Sequence, residues 1–204
     1  MIKITDLVGH ESMFIGLNIG CGNNCIDGWL NIDLYPVGGG VVYMDATYKL
    51  PFNDNSFRYV FCEHMFEHLT VAEGLELLKE VHRILQPNGI FRIALPTKDK
   101  LDEIYNDEVK NKEYIDFHFS HFDRESPIKN ACIMLNNFYR MWGHKTIYDK
   151  QTLNELFKLG GFNKVTEYNV NESDDSVLTN IESHDKEIGK FNILETSVFE
   201  LQKL

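Results

Sequence analysis

Short apolar runs, each closed by a glycine or an acidic residue, recur along the first part of this chain. Runs of this length that are rich in branched and aromatic residues and bounded by turn residues are typical of buried strands. The pattern therefore predicts a sheet whose strands end in residues suited to turns or ligand contacts. The runs are Phe14–Ile19 before Gly20, Trp29–Asp33, Val41–Met44 before Asp45, and Phe57–Cys62 before Glu63.

A helix signal follows the last of these runs. Thr70 and Glu73 have the spacing of a capping box, and apolar residues then recur at helical spacing as far as Leu85. The sequence at 86–89, Gln-Pro-Asn-Gly, is expected to end this helix. Ile90–Leu95 is predicted to form the next strand.

The remaining sequence divides into an irregular part and a regular part. Residues 97–145 are polar and rich in aromatic side chains, and we expect an insertion of short helices there that acts as a lid. Asp149 is placed to cap a helix that runs through Leu159 and ends at a glycine pair. Val165–Val170 and Ile193–Leu201 are predicted to be the closing strands.

Strands that alternate with helices predict an α/β fold with a mostly parallel sheet and helices on both faces. With no repeat and no Pro/Ser-rich linker, residues 1–204 are expected to form a single domain. Ligands of such sheets bind beyond the carboxyl ends of the strands. Gly20, Asp33, Asp45 and Pro96 all fall at these predicted ends.

The glycine turn and the two acids have chemistry suited to a nucleoside. Gly20 and Gly22 allow the backbone to approach a ligand closely, because neither carries a Cβ. Asp33 is placed to accept hydrogen bonds from two ribose hydroxyls, and Asp45 to accept one from an adenine amino group. Dinucleotide-binding folds need about 20 residues between the glycine motif and the ribose acid. The segment from Gly22 to Asp33 is shorter, which disfavours a nicotinamide enzyme.

These residues resemble the class I S-adenosylmethionine-dependent methyltransferases, in the methyltransferase-11-like group. The resemblance extends from about Leu17 to the last predicted strand. The segments that carry it are LNIGCG, GWLNIDLYP, MDATYKLPFNDNSF, EHMFEHL, LKEVHRILQPNGIFRIALP and HKTIYDKQTLNELFKLGGF.

The resemblance implies a Rossmann-like, seven-stranded sheet whose last strand is antiparallel, and S-adenosyl-L-methionine as cofactor. Asn18 stands where the family usually has an acid, and Asn24 where it usually has a third glycine. The residues that the resemblance assigns to the cofactor are Asn18, Gly20, Cys21, Gly22, Asp33, Leu34, Asp45, Ala46 and Glu63.

Methyl transfer requires alignment of the nucleophile and, for a hydroxyl, removal of its proton. We expect His64, which follows the fourth strand, to be the base, with His144 and Glu63 as further catalytic candidates. His64, His144 and Tyr148 are the expected substrate contacts. Similar methyltransferases are found with polysaccharide and sugar-modifying enzymes, which implies a sugar or glycan hydroxyl as the acceptor of the methyl group.

Two other functions stay open. The chain has the features of a cofactor-binding domain, and such a domain need not catalyse a reaction. Residues 64–68 also match the H-x-x-E-H pattern of inverted zinc peptidases, in which His64 and His68 would share one face of a helix. Because the pattern fixes few positions and lies inside the methyltransferase-like region, we expect no metal.

The charge and hydropathy of the chain limit its partners. A net charge of -11 and a pI near 5.1 disfavour nucleic-acid binding, which needs a surplus of Lys and Arg. No apolar stretch has the length of a signal peptide or a membrane span, so we expect a cytoplasmic protein with a small-molecule substrate, either as a monomer or a homodimer. The four cysteines lack paired spacing and are expected to be free thiols: Cys21, Cys25, Cys62 and Cys132.

Overall fold

The computed structural model describes residues 9–37, 39–184 and 188–204, and its centre is a seven-stranded sheet. The strand order is β3-β2-β1-β4-β5-β7-β6, and β7 alone runs antiparallel to its neighbours. This confirms the predicted mostly parallel sheet with an antiparallel last strand. The strands are β1 Leu17–Ile19, β2 Leu30–Asp33, β3 Val41–Tyr43, β4 Phe57–Glu63, β5 Leu85–Pro96, β6 Lys164–Tyr168 and β7 Thr196–Gln202.

Two helices pack against the sheet through apolar faces. Helix α1, Val71–Ile84, begins at the predicted capping box, in which the Thr70 side chain accepts from the backbone N–H of Glu73. Helix α5, Lys150–Leu159, begins at Asp149, whose carboxylate accepts from the N–H of Thr152. The residues that these helices bury in the main core are Leu77, Leu78, Val81, Ile84, Leu153, Leu156 and Phe157.

The predicted insertion consists of three short helices with a core of their own. They are α2 Lys98–Asn106, α3 Lys112–His121 and α4 Ala131–Arg140. We call residues 97–145 the helical insert. Its apolar core includes Tyr114, Phe119, Met134 and Phe138, and Phe191 from the segment before β7 also packs into it. The short helices are as predicted, while their function as a lid stays a prediction.

The connection between β1 and β2 differs from an ordinary parallel crossover. Residues 20–29 are all described and form turns without a helix. Buried amide side chains hold this loop in place instead. Asn18 donates to the Asn24 carbonyl and to Asn31 Oδ1, both at 2.9 Å, and Asn31 also accepts from the N–H of Ile26. The short glycine-to-acid spacing thus reflects a crossover without a helix.

Two predicted elements need correction. The last strand begins at Thr196, because residues Asn192–Glu195 form a short helix, α6, in which Ile193 faces solvent. Residues 64–68 do not start a helix: His64 has a left-handed backbone with φ of 46°, and Phe66–His68 form a single 3-10 turn before α1. His64 and His68 therefore do not share a helix face.

A buried ion-pair network stabilises the sheet beyond β5. Arg92 has no exposed surface, and its guanidinium donates to Glu182 at 3.0 Å and to Glu200 at 2.7 Å. Glu182 also accepts from the N–H of Asn171, and Glu200 from the hydroxyl of Ser173. The network fixes the loop between β6 and β7 onto the sheet.

The cysteines in this structure are all free thiols, as predicted. Among residues 9–37, 39–184 and 188–204, none of the helices has the length and apolar character that crossing a membrane requires.

Candidate functional site

A cavity of about 260 Å³ lies at the carboxyl ends of β1 and β4, between the sheet and the helical insert. The loop after β1 forms one end, and histidine, glutamate and aromatic side chains form the other. The walls are Asn18, Gly20, Cys21, Gly22, Asn23, Asn24, Phe61, Glu63, His64, Glu67, His68, Tyr114, His118, Phe122, Phe138, Trp142, His144, His184, Ile188 and Glu195. Predicted site residues from β1 and β4 thus meet residues of the insert and of the segment before β7.

The glycine turn at one end requires its glycines for two different reasons. Gly20 and Gly22 both have left-handed backbones, with φ of 68° and 48°. A Cβ on Gly20 would lie 2.3 Å from Met65 Cγ, so Gly20 permits the loop after β1 to pack against the loop after β4. A Cβ on Gly22 would meet no atom within 4 Å, so the backbone there faces open space in which a ligand can lie.

The two predicted nucleoside acids are not among the cavity walls and lie at the ends of the next two strands. The Asp33 carboxylate accepts from the N–H of Gly22 at 2.8 Å and from the N–H of Tyr35 at 2.7 Å. Asp45 follows β3 and accepts from the N–H and the hydroxyl of Thr47. Since β1, β2 and β3 are adjacent and parallel, Gly22, Asp33 and Asp45 line up along one edge of the sheet.

Other predicted cofactor residues have structural partners of their own. Asn18 lines the cavity, although both of its donated hydrogen bonds go to the β1–β2 loop. Cys21 also lines the cavity, and burial raises the pKa of its thiol to about 12. Leu34 lies on the surface, and Ala46 packs against the main core.

The edge from the glycine turn to Asp45 fits an extended nucleoside with an amino-acid tail. The open space above Gly22 accommodates a close approach to the backbone, and each acid retains acceptor capacity besides its backbone contacts. The N–H bonds also orient the Asp33 carboxylate before any ligand arrives. The cofactor expected from the sequence therefore fits this edge.

His64 lies on the cavity wall, but its ring is already engaged. Its Nε2 is 2.9 Å from the hydroxyl of Thr196, and its ring stacks on that of His184 at 3.8 Å. Only 15% of the side chain is exposed, and burial lowers the pKa of His64 to about 3. A proton acceptor works best when its pKa is near the working pH, so these properties weaken the case for His64 as a base.

Glu63 anchors the loop between β6 and β7. Its carboxylate accepts from the backbone N–H groups of Ser183 and His184, at 2.9 and 3.0 Å, and from the Ser183 hydroxyl. Removal from water nevertheless outweighs these bonds and raises the pKa of Glu63 to about 7. The side chain lines the cavity and at the same time positions His184 at its wall.

The raised pKa of Glu63 predicts a pH dependence of stability. Ionising the buried carboxyl costs free energy, so its contribution to stability is fully present below pH 4.5 and is lost as the pH rises through about 7. From pH 5 to pH 8, urea unfolding should show the unmutated chain losing stability relative to Glu63→Gln, by on the order of 3 kcal/mol. The exposed Glu76→Gln should show no such trend, and a constant difference for Glu63→Gln would contradict the assignment.

A second group of side chains surrounds Glu67 at the far end of the cavity. Glu67 is fully buried, and neither of its carboxylate oxygens has a hydrogen-bond partner among the residues that the structure describes. Burial raises the pKa of this carboxyl. The nearest nitrogens are His64 Nδ1 at 3.4 Å and His144 Nε2 at 4.0 Å, and the ring of His68 is 4.8 Å from that of His144.

His144 combines a fixed orientation with a nitrogen that faces the cavity. Its Nδ1 is 2.6 Å from the carbonyl oxygen of Phe138, and a carbonyl only accepts, so Nδ1 carries the hydrogen. Burial lowers the pKa of His144, which leaves the ring neutral with its lone pair on Nε2. That lone pair points to the same space as the Glu67 carboxylate.

Trp142 and Tyr148 have different positions relative to the cavity, and of these Tyr148 was an expected substrate contact. Trp142 lines the cavity with a left-handed backbone, φ 56°, and 42% of it is exposed. Tyr148 is buried in the main core against Phe66, with ring centroids 5.7 Å apart, and it is not one of the cavity walls. The structure therefore brings Trp142 to the site and leaves Tyr148 in a packing position.

The sequence reasoning missed several side chains of the site. Glu67 and His68 appeared only as part of a motif, and His184 and Glu195 gave no local signal, because contacts formed by the β6–β7 loop bring them to the cavity. His184 Nε2 lies 3.3 Å from Glu195 Oε1. Burial raises the pKa of the Glu195 carboxyl well above its usual range.

Comparison with known proteins gives a family match for part of the chain. Residues 17–93 match the model of a family described as a methyltransferase domain. This region extends from β1 into β5 and contains the glycine turn, both nucleoside acids and residues 63–68. The matched segment therefore contains most of the residues that the sequence assigned to the cofactor.

The named relatives match this chain over only part of their own length. A demethylmenaquinone methyltransferase of Staphylococcus epidermidis is 31% identical over 131 residues, which are 61% of this chain. The match covers 48% of that protein, so the chain spans about half the length of the curated relatives of this kind.

Solved structures show the same fold over nearly the whole chain. A SAM-dependent methyltransferase of Archaeoglobus fulgidus has a TM-score of 0.54 at 18% identity, covering 98% of this chain and 92% of that one. A possible histamine N-methyltransferase of Thermotoga maritima has a TM-score of 0.52 at 16% identity, covering 93% and 82%. At these identities the likeness concerns the fold.

Proposed function

We propose that this chain transfers the methyl group of S-adenosylmethionine to a small polar molecule, because residues 17–93 match a methyltransferase-domain family and a SAM-dependent methyltransferase has the same fold. The observation that carries the proposal is the cavity itself. One end is the glycine turn of the cofactor side, and the other is a group of polar and aromatic side chains that a substrate can contact.

The proposed reaction is a single displacement. A lone pair on the nucleophile's oxygen attacks the methyl carbon, and the carbon–sulfur bond breaks with its electrons staying on sulfur as a thioether. The hydroxyl proton is released to solvent water on the side of Glu67 and His144. Alignment supplies much of the acceleration, because both reactants are held in one cavity.

We propose a sugar or glycan hydroxyl as the acceptor. Trp142 offers a partly exposed aromatic face, and the nearby glutamates and histidines offer hydrogen-bond partners for several hydroxyls. The Staphylococcus epidermidis relative is named for demethylmenaquinone, a different type of acceptor. A cavity end with many titratable side chains favours a polar substrate over a large apolar one.

The test is methyl transfer from isotopically labelled S-adenosylmethionine, with product detected by mass spectrometry. The panel should contain sugars, nucleotide sugars and demethylmenaquinone. We expect methylated sugar products. Methylation of demethylmenaquinone alone would overturn the sugar proposal, and cofactor binding without any methylated product would favour a non-catalytic binding domain.

Cofactor binding should depend on Asp33. Asp33→Ala removes the proposed ribose acceptor and the oriented bonds to the loop after β1, so affinity for S-adenosylmethionine should fall by about 1.5–3 kcal/mol in calorimetry. Asp27→Ala, an exposed acid in the same loop, is the matched control and should bind normally. NAD should not bind to either protein. An unchanged affinity of Asp33→Ala would remove the ribose assignment.

A further inference from the structure

Glu67 is a buried carboxyl group whose nearest nitrogens, His64 Nδ1 at 3.4 Å and His144 Nε2 at 4.0 Å, lie beyond the usual length of a charge-assisted hydrogen bond. Its side chain has no exposed surface, and both oxygens are without hydrogen-bond partners there. Leaving such a group uncompensated costs several kcal/mol, so an unpaired buried carboxylate needs an explanation such as a bound ion. The side chain is also one of the walls of the cavity.

His144 faces this carboxylate with a nitrogen that is itself an acceptor. The Phe138 carbonyl fixes the hydrogen on Nδ1, so Nε2 presents a lone pair 4.0 Å from Glu67 Oε1. Two acceptors that face each other without a hydrogen between them repel, unless a positive charge lies in the gap. A histidine whose second ring nitrogen donates to a backbone carbonyl has the usual arrangement of a metal ligand.

His68 completes the group. Its ring is nearly perpendicular to that of His144, at 85°, and one ligand atom from each of Glu67, His68 and His144 lies within 4.8 Å of the others. The backbone helps to hold this geometry, because the N–H groups of Lys145 and Thr146 both donate to the Glu67 carbonyl. The segment that carries His144 is thereby fixed next to Glu67.

We propose that Glu67, His68 and His144 bind a divalent transition-metal ion, with Zn²⁺ as the preferred ion. Zinc ligands lie about 2.0–2.1 Å from the metal, which places tetrahedral ligand atoms about 3.4 Å apart. The present ligand atoms lie within 4.8 Å of one another, so the side chains would have to move closer together to bind the ion. Two imidazoles and one carboxylate are a ligand set of catalytic zinc sites, which keep an open position, whereas Mg²⁺ and Ca²⁺ prefer oxygen ligands alone.

This proposal departs from the expectation drawn from the sequence, which was that no metal binds. The H-x-x-E-H motif indicated His64 and His68 as a ligand pair, and the structure places them in separate groups. The Glu of the motif becomes a ligand, and the other histidine comes from the end of the helical insert.

The consequence for chemistry rests on the proposed methyl transfer. A zinc ion held by Glu67, His68 and His144 would supply Lewis-acid chemistry, because it would lower the pKa of a hydroxyl bound to it. The site would then hold and orient the acceptor at the end of the cavity opposite the glycine turn.

Metal binding can be tested without cofactor or substrate. The full chain, stripped with a chelator and dialysed, is titrated with Zn²⁺ by calorimetry, and its bound metal is measured by mass spectrometry. We expect one equivalent of zinc and a higher Tm in its presence. Glu67→Gln, His68→Ala and His144→Ala should each weaken binding by at least about 100-fold, beyond what loss of an outer-shell partner costs.

Matched variants separate this site from its neighbours. His121→Ala, on an exposed face of the insert, should bind zinc normally. The proposal is overturned if the unmutated chain binds no stoichiometric zinc, which would leave Glu67 a neutral carboxylic acid. It is also overturned if zinc is lost on changing His64 and Glu195, which belong to the adjacent group, and retained on changing His68 and His144. Calorimetry with S-adenosylmethionine alone distinguishes failure of the metal site from failure of the proposed function.

Discussion

Replacing Arg92 with leucine is expected to lower the free energy of unfolding by about 3–5 kcal/mol, the usual cost of removing one partner from a buried ion pair. The loss has a specific physical cause. Glu182 and Glu200 are 5% and 7% exposed. Without the guanidinium they would be two buried negative charges with no positive partner, and they would repel each other. Urea denaturation at pH 7, followed by circular dichroism, measures the change.

Arg58→Leu is the matched control for this prediction. Arg58 lies on β4 at the surface, where its guanidinium donates to the Asn88 carbonyl, and its loss should cost less than about 1 kcal/mol. A similar small cost for Arg92→Leu would mean that the glutamates are protonated or hydrated once the arginine is gone.

The His144→Ala substitution should lower turnover by about 10²- to 10⁴-fold, the range for loss of proton-transfer catalysis, because it removes a ligand of the ion that would lower the pKa of the nucleophile's hydroxyl. His144 Nε2 points at the cavity with a fixed lone pair, and 7% of the side chain is exposed. Affinity for S-adenosylmethionine should be nearly unchanged, since the glycine turn lies at the opposite end. Single-turnover rates at saturating cofactor measure the effect.

His64→Ala and His121→Ala complete this experiment. His64 was the base expected from the sequence, but its Nε2 contacts Thr196 and its pKa is lowered to about 3. We therefore expect a smaller loss for His64→Ala than for His144→Ala, and no rate decrease near pH 6.5 that arises from His64. His121→Ala should retain full turnover. A larger loss of turnover for His64→Ala than for His144→Ala would mean that His64 is the base, as the sequence predicted.

The sheet was predictable from the sequence because its signals are local. Apolar runs and turn residues lie next to each other along the chain, and the capping box at Thr70 and the cap at Asp149 each depend on residues three positions apart. The predicted start of β7 was wrong because Ile193 is an apolar residue that is exposed. Hydropathy alone does not distinguish such a residue from the first residue of a buried strand.

The residues expected to bind the cofactor are also close to one another in the sequence. The residues around Glu67 are not. Gly20, Gly22 and Asp33 lie within one strand–turn–strand unit, and Gly22 and Asp33 are joined by a hydrogen bond. The group around Glu67 depends on the packing of the helical insert, which brings in His144 from a distant part of the chain. No periodicity or motif in the sequence predicts a contact between residues so far apart along the chain.

The position of β7 has a consequence for how this protein is made. β7 pairs with β5 on one side and β6 on the other, so residues 196–202 complete the sheet only after every other strand has been synthesised. Until those residues leave the ribosome, β5 presents an open edge that other chains can pair with. Glu195, a wall of the cavity, and Thr196, which contacts His64, are likewise added only at that stage. The wall of the cavity is therefore complete in the growing chain only after the strands that lead to Gly20, Asp33 and Asp45 have been made.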